Sequence, residues 1–244
     1  MLAAMILEGR IAIVTGAASG MGAATAQLLA EAGAVVLGAD IAEHPDVAFT
    51  GDVSDPAFCD ATVAETVSRH GRLDILVNAA GVIVRADAPA TTNDAWYRQM
   101  RVNVDGTFFM CRAAIGPMRA QGSGAIVNFG SIWGGAGGKG HVAYATAKGA
   151  VHNLTRSLAL DHAREGIRVN AVCPGEVDTP MLRAAGRAVP LTDAQLADMA
   201  DRVVPMGRLA QPAEIGRVVV FLCSDAASYM TGALVPVDGG WSAG

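Results

Sequence analysis

Tyr144 and Lys148 stand four residues apart in Tyr-Ala-Thr-Ala-Lys, a spacing that on a helix puts both side chains on one face. A phenol titrates near ~10 and is a poor base at neutral pH. An ammonium beside it favours the phenolate, and a lowered value lets the tyrosine exchange a proton with a substrate oxygen. Ser131, just past an apolar run at 125–129, can donate a hydrogen bond to that oxygen or to the tyrosine. The chain has three tyrosines and only two lysines, Lys139 and Lys148. A chance Tyr-x-x-x-Lys is then expected about 0.02–0.03 times. The spacing therefore predicts proton transfer, not a half-buried tyrosine near a surface lysine.

A second cluster lies near the N-terminus. The run Ile11-Ala-Ile-Val-Thr15 leads into Gly16-Ala-Ala-Ser19-Gly20-Met21-Gly22 and then a helical pattern. Gly16 allows a tight turn, and Gly20 and Gly22 let the backbone and a helix N-terminus approach a pyrophosphate. The spacing is G-x3-G-x-G rather than G-x-G-x-x-G, and alone it could be only a turn. Its place between strand and helix favours a dinucleotide. Asp40 ends the next strand, about twenty residues on, where a carboxylate accepts from adenosine ribose hydroxyls and repels the extra phosphate of NADP. No Lys or Arg lies between Gly16 and Asp52 to hold that phosphate. The cofactor expected is NAD, and the cationic ring of bound NAD would add to the pull on Tyr144.

These residues need a scaffold, and the chain alternates strand-like and helix-like segments throughout. Strands are expected at 11–15, 34–40, 47–53, 73–78, 125–129, 168–173 and 234–237. Helices are expected at 21–32, from Asp55-Pro56 to about 70, at 92–120, at 142–164 and at 212–224. The strands are apolar throughout rather than alternating, which implies a parallel sheet covered on both faces. The expected fold is α/β, a single Rossmann-like doubly wound domain over 1–244 with about seven parallel strands. The stretch 176–208 has no clear element and is read as the substrate loop.

Composition agrees with this frame. Hydrophobic residues make up 52% and the formal charge is −5, so a large core is available and nothing draws the chain to nucleic acid or a membrane. The four cysteines are far apart with no C-x-x-C pair, which argues against a disulfide framework or a metal site. No signal peptide or spanning segment is read, and a cytoplasmic location is expected.

Taken together the motifs resemble the short-chain dehydrogenases/reductases over nearly the whole chain. The matching pieces are the 15–22 turn, Asp52-Val53, Asn78-Ala-Ala-Gly81, Asn103 in Arg-Val-Asn-Val, Ser131, Tyr144-Ala-Thr-Ala-Lys148 and Pro174-Gly175-Glu-Val177-Asp-Thr179. The resemblance implies that Tyr144 is the acid/base, that Ser131 orients substrate, and that Lys148 also binds the nicotinamide ribose. It implies a water-linked proton relay anchored by Asn103. Asp52 and Val53 would flank the adenine, Asn78 would lie along the cofactor, and Val177 and Thr179 would hold the carboxamide end. Homotetramers are usual in the family. The short loop after Asp40 and the Val-Asp-Gly-Gly-Trp241 ending are similar to cytosolic 3-hydroxybutyrate and sugar-acid dehydrogenases. The expected reaction moves a hydride between NAD and the carbon of a small secondary alcohol, hydroxy acid or ketone. A 3-oxoacyl-type ketoreductase is the alternative within the fold, and a non-catalytic NAD-sensing regulator the alternative outside enzymes. Val82, Ile83, Trp133, His141, Met181, Leu182 and Arg183 are the expected substrate-pocket residues. His141 stands where an arginine for a substrate carboxylate would be expected from the 3-hydroxybutyrate enzymes.

Overall fold

The computed structural model describes residues 6–184 and 189–244. Seven strands form one parallel sheet in the order β3-β2-β1-β4-β5-β6-β7. They are β1 (Ile11–Thr15), β2 (Val35–Asp40), β3 (Val47–Thr50), β4 (Ile75–Asn78), β5 (Gly124–Phe129), β6 (Ile167–Pro174) and β7 (Leu234–Val237). The order reverses at β1, which pairs with both β2 and β4. Such a switch point opens a crevice at the carboxyl ends of the strands, where this class of sheet binds ligands.

Alternation within the strands explains why both faces are covered. Ala12 and Val14 of β1 face one way with Ile75, Val77 and Val127, and pack against Leu29 of α1 (Gly20–Glu31) and Ile215, Val219 and Leu222 of α8 (Pro212–Cys223). Ile13, Leu76 and Ile126 face the other way. They meet Val63 of α2 (Pro56–His70), Met110, Ala114 and Met118 of α4 (Gly106–Gln121), and Leu158 of α5 (Val142–His162). Every residue of the central strands β1 and β4 is thus inside, as are nearly all of β5 and β6, as their unbroken apolar runs require, while the edges β3 and β7 stay half-exposed. Asp55 caps α2 by accepting from the Ala57 N–H, Pro56 starts the helix, and Gly71 ends it at φ +74°.

Three expectations need correction. The helix expected over 92–120 is α3 (Asn93–Met100), a π turn (Arg101–Asp105) and α4. The Asn103 side-chain amide donates to the Gln99 and Val82 carbonyls, and its oxygen accepts from the Val82 N–H. A side chain that takes the carbonyl four residues back displaces the ordinary backbone bond and widens the helix there. The third strand stops at Thr50, because Asp52 starts a turn, its side chain accepting from the Ser54 N–H and its carbonyl from the Asp55 N–H. The stretch 176–208 is not element-free. It holds α6 (Pro180–Ala184) and α7 (Asp193–Val203), the latter started by a Thr192–Gln195 capping box and buried through Leu196 and Ala200; residues 185–188 lie outside the described residues.

The four cysteines are buried and unpaired. Among the described residues no helix is long and apolar enough to cross a membrane.

Candidate active site

The first turn of α1 meets the crevice end-on. Its N-cap, Ser19, makes no side-chain capping bond, and no acid stands in that turn, so its amides remain available to an anion. Two glycines make this approach possible. Gly16 has φ +70°, and a Cβ there would lie 2.8 Å from the Ala80 nitrogen; a Cβ on Gly22 would fall on the Gly16 carbonyl oxygen. Side chains at either place would force apart the turn and the helix that form the cradle, so the residues present fit a dinucleotide. Ser19, Gly20 and Met21 line the crevice with them, as do Asp52, Val53, Gly81 and Thr179.

Asp40 ends β2 on the crevice wall. Its oxygens accept from the Ala18 N–H at 2.9 Å and the Ala42 N–H at 3.0 Å, which fixes the carboxylate and leaves lone pairs for ribose hydroxyls. Arg98 of α3 also lines the crevice, a cation the sequence reading did not place there.

The crevice continues past Met21, Gly81 and Met181 to Tyr144 and Lys148. Both come from the first two turns of α5, as the four-residue spacing predicts. The Lys148 ammonium donates to the Phe129 carbonyl at 2.7 Å and lies 5.7 Å from the centre of the Tyr144 ring. Ser131 follows β5 in extended conformation, its hydroxyl accepts from the Trp133 N–H at 3.2 Å, and it shares the pocket with the Tyr144 phenol, whose titration it lowers. Asn103 packs across Gly81 from this group, since a Cβ on Gly81 would lie 2.7 Å from the Asn103 oxygen and 3.9 Å from the Lys148 nitrogen. The four expected catalytic residues are therefore neighbours.

The electrostatics differ from expectation. Burial pushes Tyr144 up to about 12; the Ser131 hydrogen bond and Arg85 pull it down, and Glu176 pushes it further up. Burial also lowers Lys148 to about 8. Without the cofactor's positive charge the phenol is therefore held protonated at neutral pH, chiefly because it is buried.

Beyond Tyr144 a smaller pocket is walled by Ile83, Trp133, Val177, Met181 and Leu182. Two charged residues that the sequence reading missed, Arg85 and Glu176, also line it. Trp133 stacks on His141 (5.4 Å, 16°) and meets Trp241 edge-on at 4.9 Å. His141 stands behind Trp133 rather than in the pocket: its Nε2 accepts from the Arg85 guanidinium at 3.2 Å.

Two further assignments need revision. Arg183 does not face substrate, since Asp178 holds its guanidinium at 2.6 and 2.8 Å and Asp193 at 2.8 Å. Asn78 does not run along the crevice. It is buried, and its amide donates to Asn128 at 2.9 Å, tying β4 to β5; Ala79 and Ala80 form the wall instead.

Residues 16–242 match the family model described as enoyl-(acyl carrier protein) reductase. The chain belongs to the short-chain dehydrogenase/reductase family. It is 43% identical to the cis-4-hydroxycyclohexanecarboxylate dehydrogenase of Sinomonas cyclohexanicum, over 96% of this chain and 97% of that one. It is 37% identical to the meso-2,3-butanediol dehydrogenase of Serratia marcescens, over 98% and 97%. Among solved structures, the ligand-free aldohexose dehydrogenase of Thermoplasma acidophilum superposes with a TM-score of 0.92 at 32% identity, covering 98% of this chain and 96% of that one. The short-chain dehydrogenase described here is accordingly an oxidoreductase acting on CH–OH groups, in a family that uses nicotinamide cofactors.

Proposed function

We propose that this dehydrogenase is specific for NAD over NADP and oxidises a small secondary alcohol through Tyr144, as a single catalytic domain. The observation that carries the cofactor choice is the Asp40 carboxylate, fixed on the crevice wall by the Ala18 and Ala42 amides. Ribose hydroxyls find a charge-assisted acceptor there, a contact of about 1.5–3 kcal/mol, whereas a 2′-phosphate meets a like charge. When bound, the dinucleotide supplies the hydride acceptor and a positive charge beside the phenol.

The protein's own part is proton handling. Tyr144 takes the proton of the substrate hydroxyl as the carbinol hydrogen leaves as hydride, and Ser131 donates to the same oxygen. Lys148, held by the Phe129 carbonyl, contributes its charge and a contact to the nicotinamide ribose. Asn103 shapes the π turn behind Lys148. Its side chain is committed to Val82 and Gln99, so a water relay would use its backbone carbonyl. Val177 and Thr179 would meet the carboxamide end, and Asp52 and Val53 the adenine. A homotetramer in the cytoplasm is the accompanying reading; light scattering at micromolar protein tests the assembly, and a monomer mass would reject it.

The test of cofactor choice is initial rates with both dinucleotides on wild type, Asp40→Ala and Arg98→Ala. Wild type should favour NAD by about 100-fold in kcat/KM, or roughly 3 kcal/mol, and Asp40→Ala should lose with NAD and gain with NADP. Equal use of both by wild type would reject the specificity, and a fall with NADP alone in Arg98→Ala would show that Arg98 offsets Asp40.

A further inference from the structure

Glu176 brings into the smaller pocket a carboxylate that no group of the described residues hydrogen-bonds. It follows β6 and lines the pocket with Tyr144, Ser131 and Trp133. It is half-buried, its carboxylate accepts no hydrogen bond from the described residues, and the charge of Arg85 offsets it in part. Burial raises its titration, and its charge is felt at the Tyr144 phenol. A half-buried carboxylate with no donor from the protein is free to accept one from a ligand that displaces its water.

The donor must come from beside the reacting carbon, since Glu176 and Ser131 share one small pocket with the Tyr144 hydroxyl. Two chemistries could occupy it. A hydroxy acid would place its carboxylate against Glu176, a like charge in the same small pocket. An uncharged diol instead gives Glu176 a hydroxyl proton and lays its C–H faces on Trp133, Ile83 and Leu182.

We propose that Glu176 is a specificity-determining acceptor that binds the second hydroxyl of an uncharged vicinal diol whose first hydroxyl is at Tyr144. The inference rests on the reading of Tyr144 as the proton acceptor. Oxidation would give an α-hydroxyketone, the carbinol hydrogen leaving as hydride to the nicotinamide and the hydroxyl proton to Tyr144, while the second hydroxyl remains intact.

The experiment compares kcat/KM for meso-2,3-butanediol, 2-butanol and 3-hydroxybutyrate on wild type, Glu176→Gln and Glu176→Leu, with whichever dinucleotide the enzyme prefers. The diol should exceed 2-butanol by about tenfold or more in wild type, the scale of one hydrogen bond to a charged group. That ratio should fall by about tenfold in Glu176→Leu and by less in Glu176→Gln. An unchanged ratio in folded Glu176→Leu, or a wild-type preference for 3-hydroxybutyrate over the diol, would overturn the inference. Calorimetry of Tyr144→Phe with bound dinucleotide reads the same contact without turnover, in the presence and absence of Glu176→Leu. There, diol binding no tighter than 2-butanol binding overturns it, and tighter binding lost in Glu176→Leu supports it. If Tyr144→Phe instead keeps wild-type turnover, the proton-acceptor reading fails on its own account.

Discussion

The backbone N–H of Ser131 donates to Nε2 of His152 at 3.3 Å. The serine beside the reacting oxygen is thus hung from α5, the helix that also carries Tyr144 and Lys148. An acceptor at Nε2 requires a neutral ring with its proton on Nδ1. Close packing enforces this geometry: a Cβ on Gly134 would lie 2.5 Å from His152, and the Cys173 sulfur stands 3.3 Å from the same nitrogen.

Acid should therefore cost this protein stability through His152. Burial, aided by repulsion from Lys148 and Arg156, lowers its titration from 6.5 to about 4. Between those values the unfolded chain takes a proton that the folded one refuses, so stability falls as pH falls through that window. The contribution lost between pH 7 and pH 5 is about 2 kcal/mol. Urea unfolding of wild type and His152→Gln at both pH values checks this: the wild type should lose about that much more. Equal losses would show that the ring is free to protonate in the fold.

Tyr144→Phe should fold, bind cofactor and lose turnover by about 10²–10⁴-fold, because only the transferable proton is removed. Retention of more than about a tenth of the wild-type rate would reject Tyr144 as the acid/base.

The pH dependence of oxidation should rise toward alkali. In the protein alone Tyr144 sits at about 12, so ultraviolet titration without cofactor should find no tyrosinate from it at neutral pH. With oxidised cofactor bound, the added positive charge should bring its ionisation to lower pH and the rate should climb with it. Lys148→Ala removes a cation and should move that climb to higher pH, losing most activity near neutrality. A flat rate profile from neutral to alkaline pH would rule out a titrating Tyr144.

Gly22→Ala should damage the cofactor cradle. The added methyl would overlap the Gly16 carbonyl, which is backbone and cannot rotate away, so the turn or α1 must shift at about 1–3 kcal/mol. Thermal unfolding and NADH fluorescence titration should both register it. Unaltered NADH affinity would mean that α1 does not approach the pyrophosphate this closely.

How much of this was legible in the chain depends on the range of the interaction. The glycine turn, Asp40 and the Tyr144–Lys148 pair rest on spacing within one strand–helix unit, and those neighbours meet as expected. The His152 role had a signal too, since 144, 148 and 152 repeat every four residues along one helix face, but its partner at Ser131 was not visible. Arg85 and Glu176 arrive in one pocket from the ends of β4 and β6, and no local pattern announces such a meeting. Asn78 and Arg183 were misread because their side chains have better partners, Asn128 across the sheet and Asp178 five residues back. The interruption at 101–105 goes with the Asn103 side chain, which bonds Gln99 one turn back while Val82 holds it from another segment, and helix propensity contains no such partner.

The burial of Cys59, Cys111, Cys173 and Cys223 makes the molecule its own clock for opening. Desolvation raises all four thiols, Cys173 to about 11 and the others to about 12, so almost no thiolate exists at pH 8. Alkylation should then proceed chiefly through excursions that expose the sheet and its packed helices. Its rate counts those excursions sulfur by sulfur: Cys59 and Cys111 for the α2–α4 side, Cys223 for the α1–α8 side, and Cys173 for the wall behind Ser131. A dinucleotide that clamps the crevice should slow the Cys173 count first.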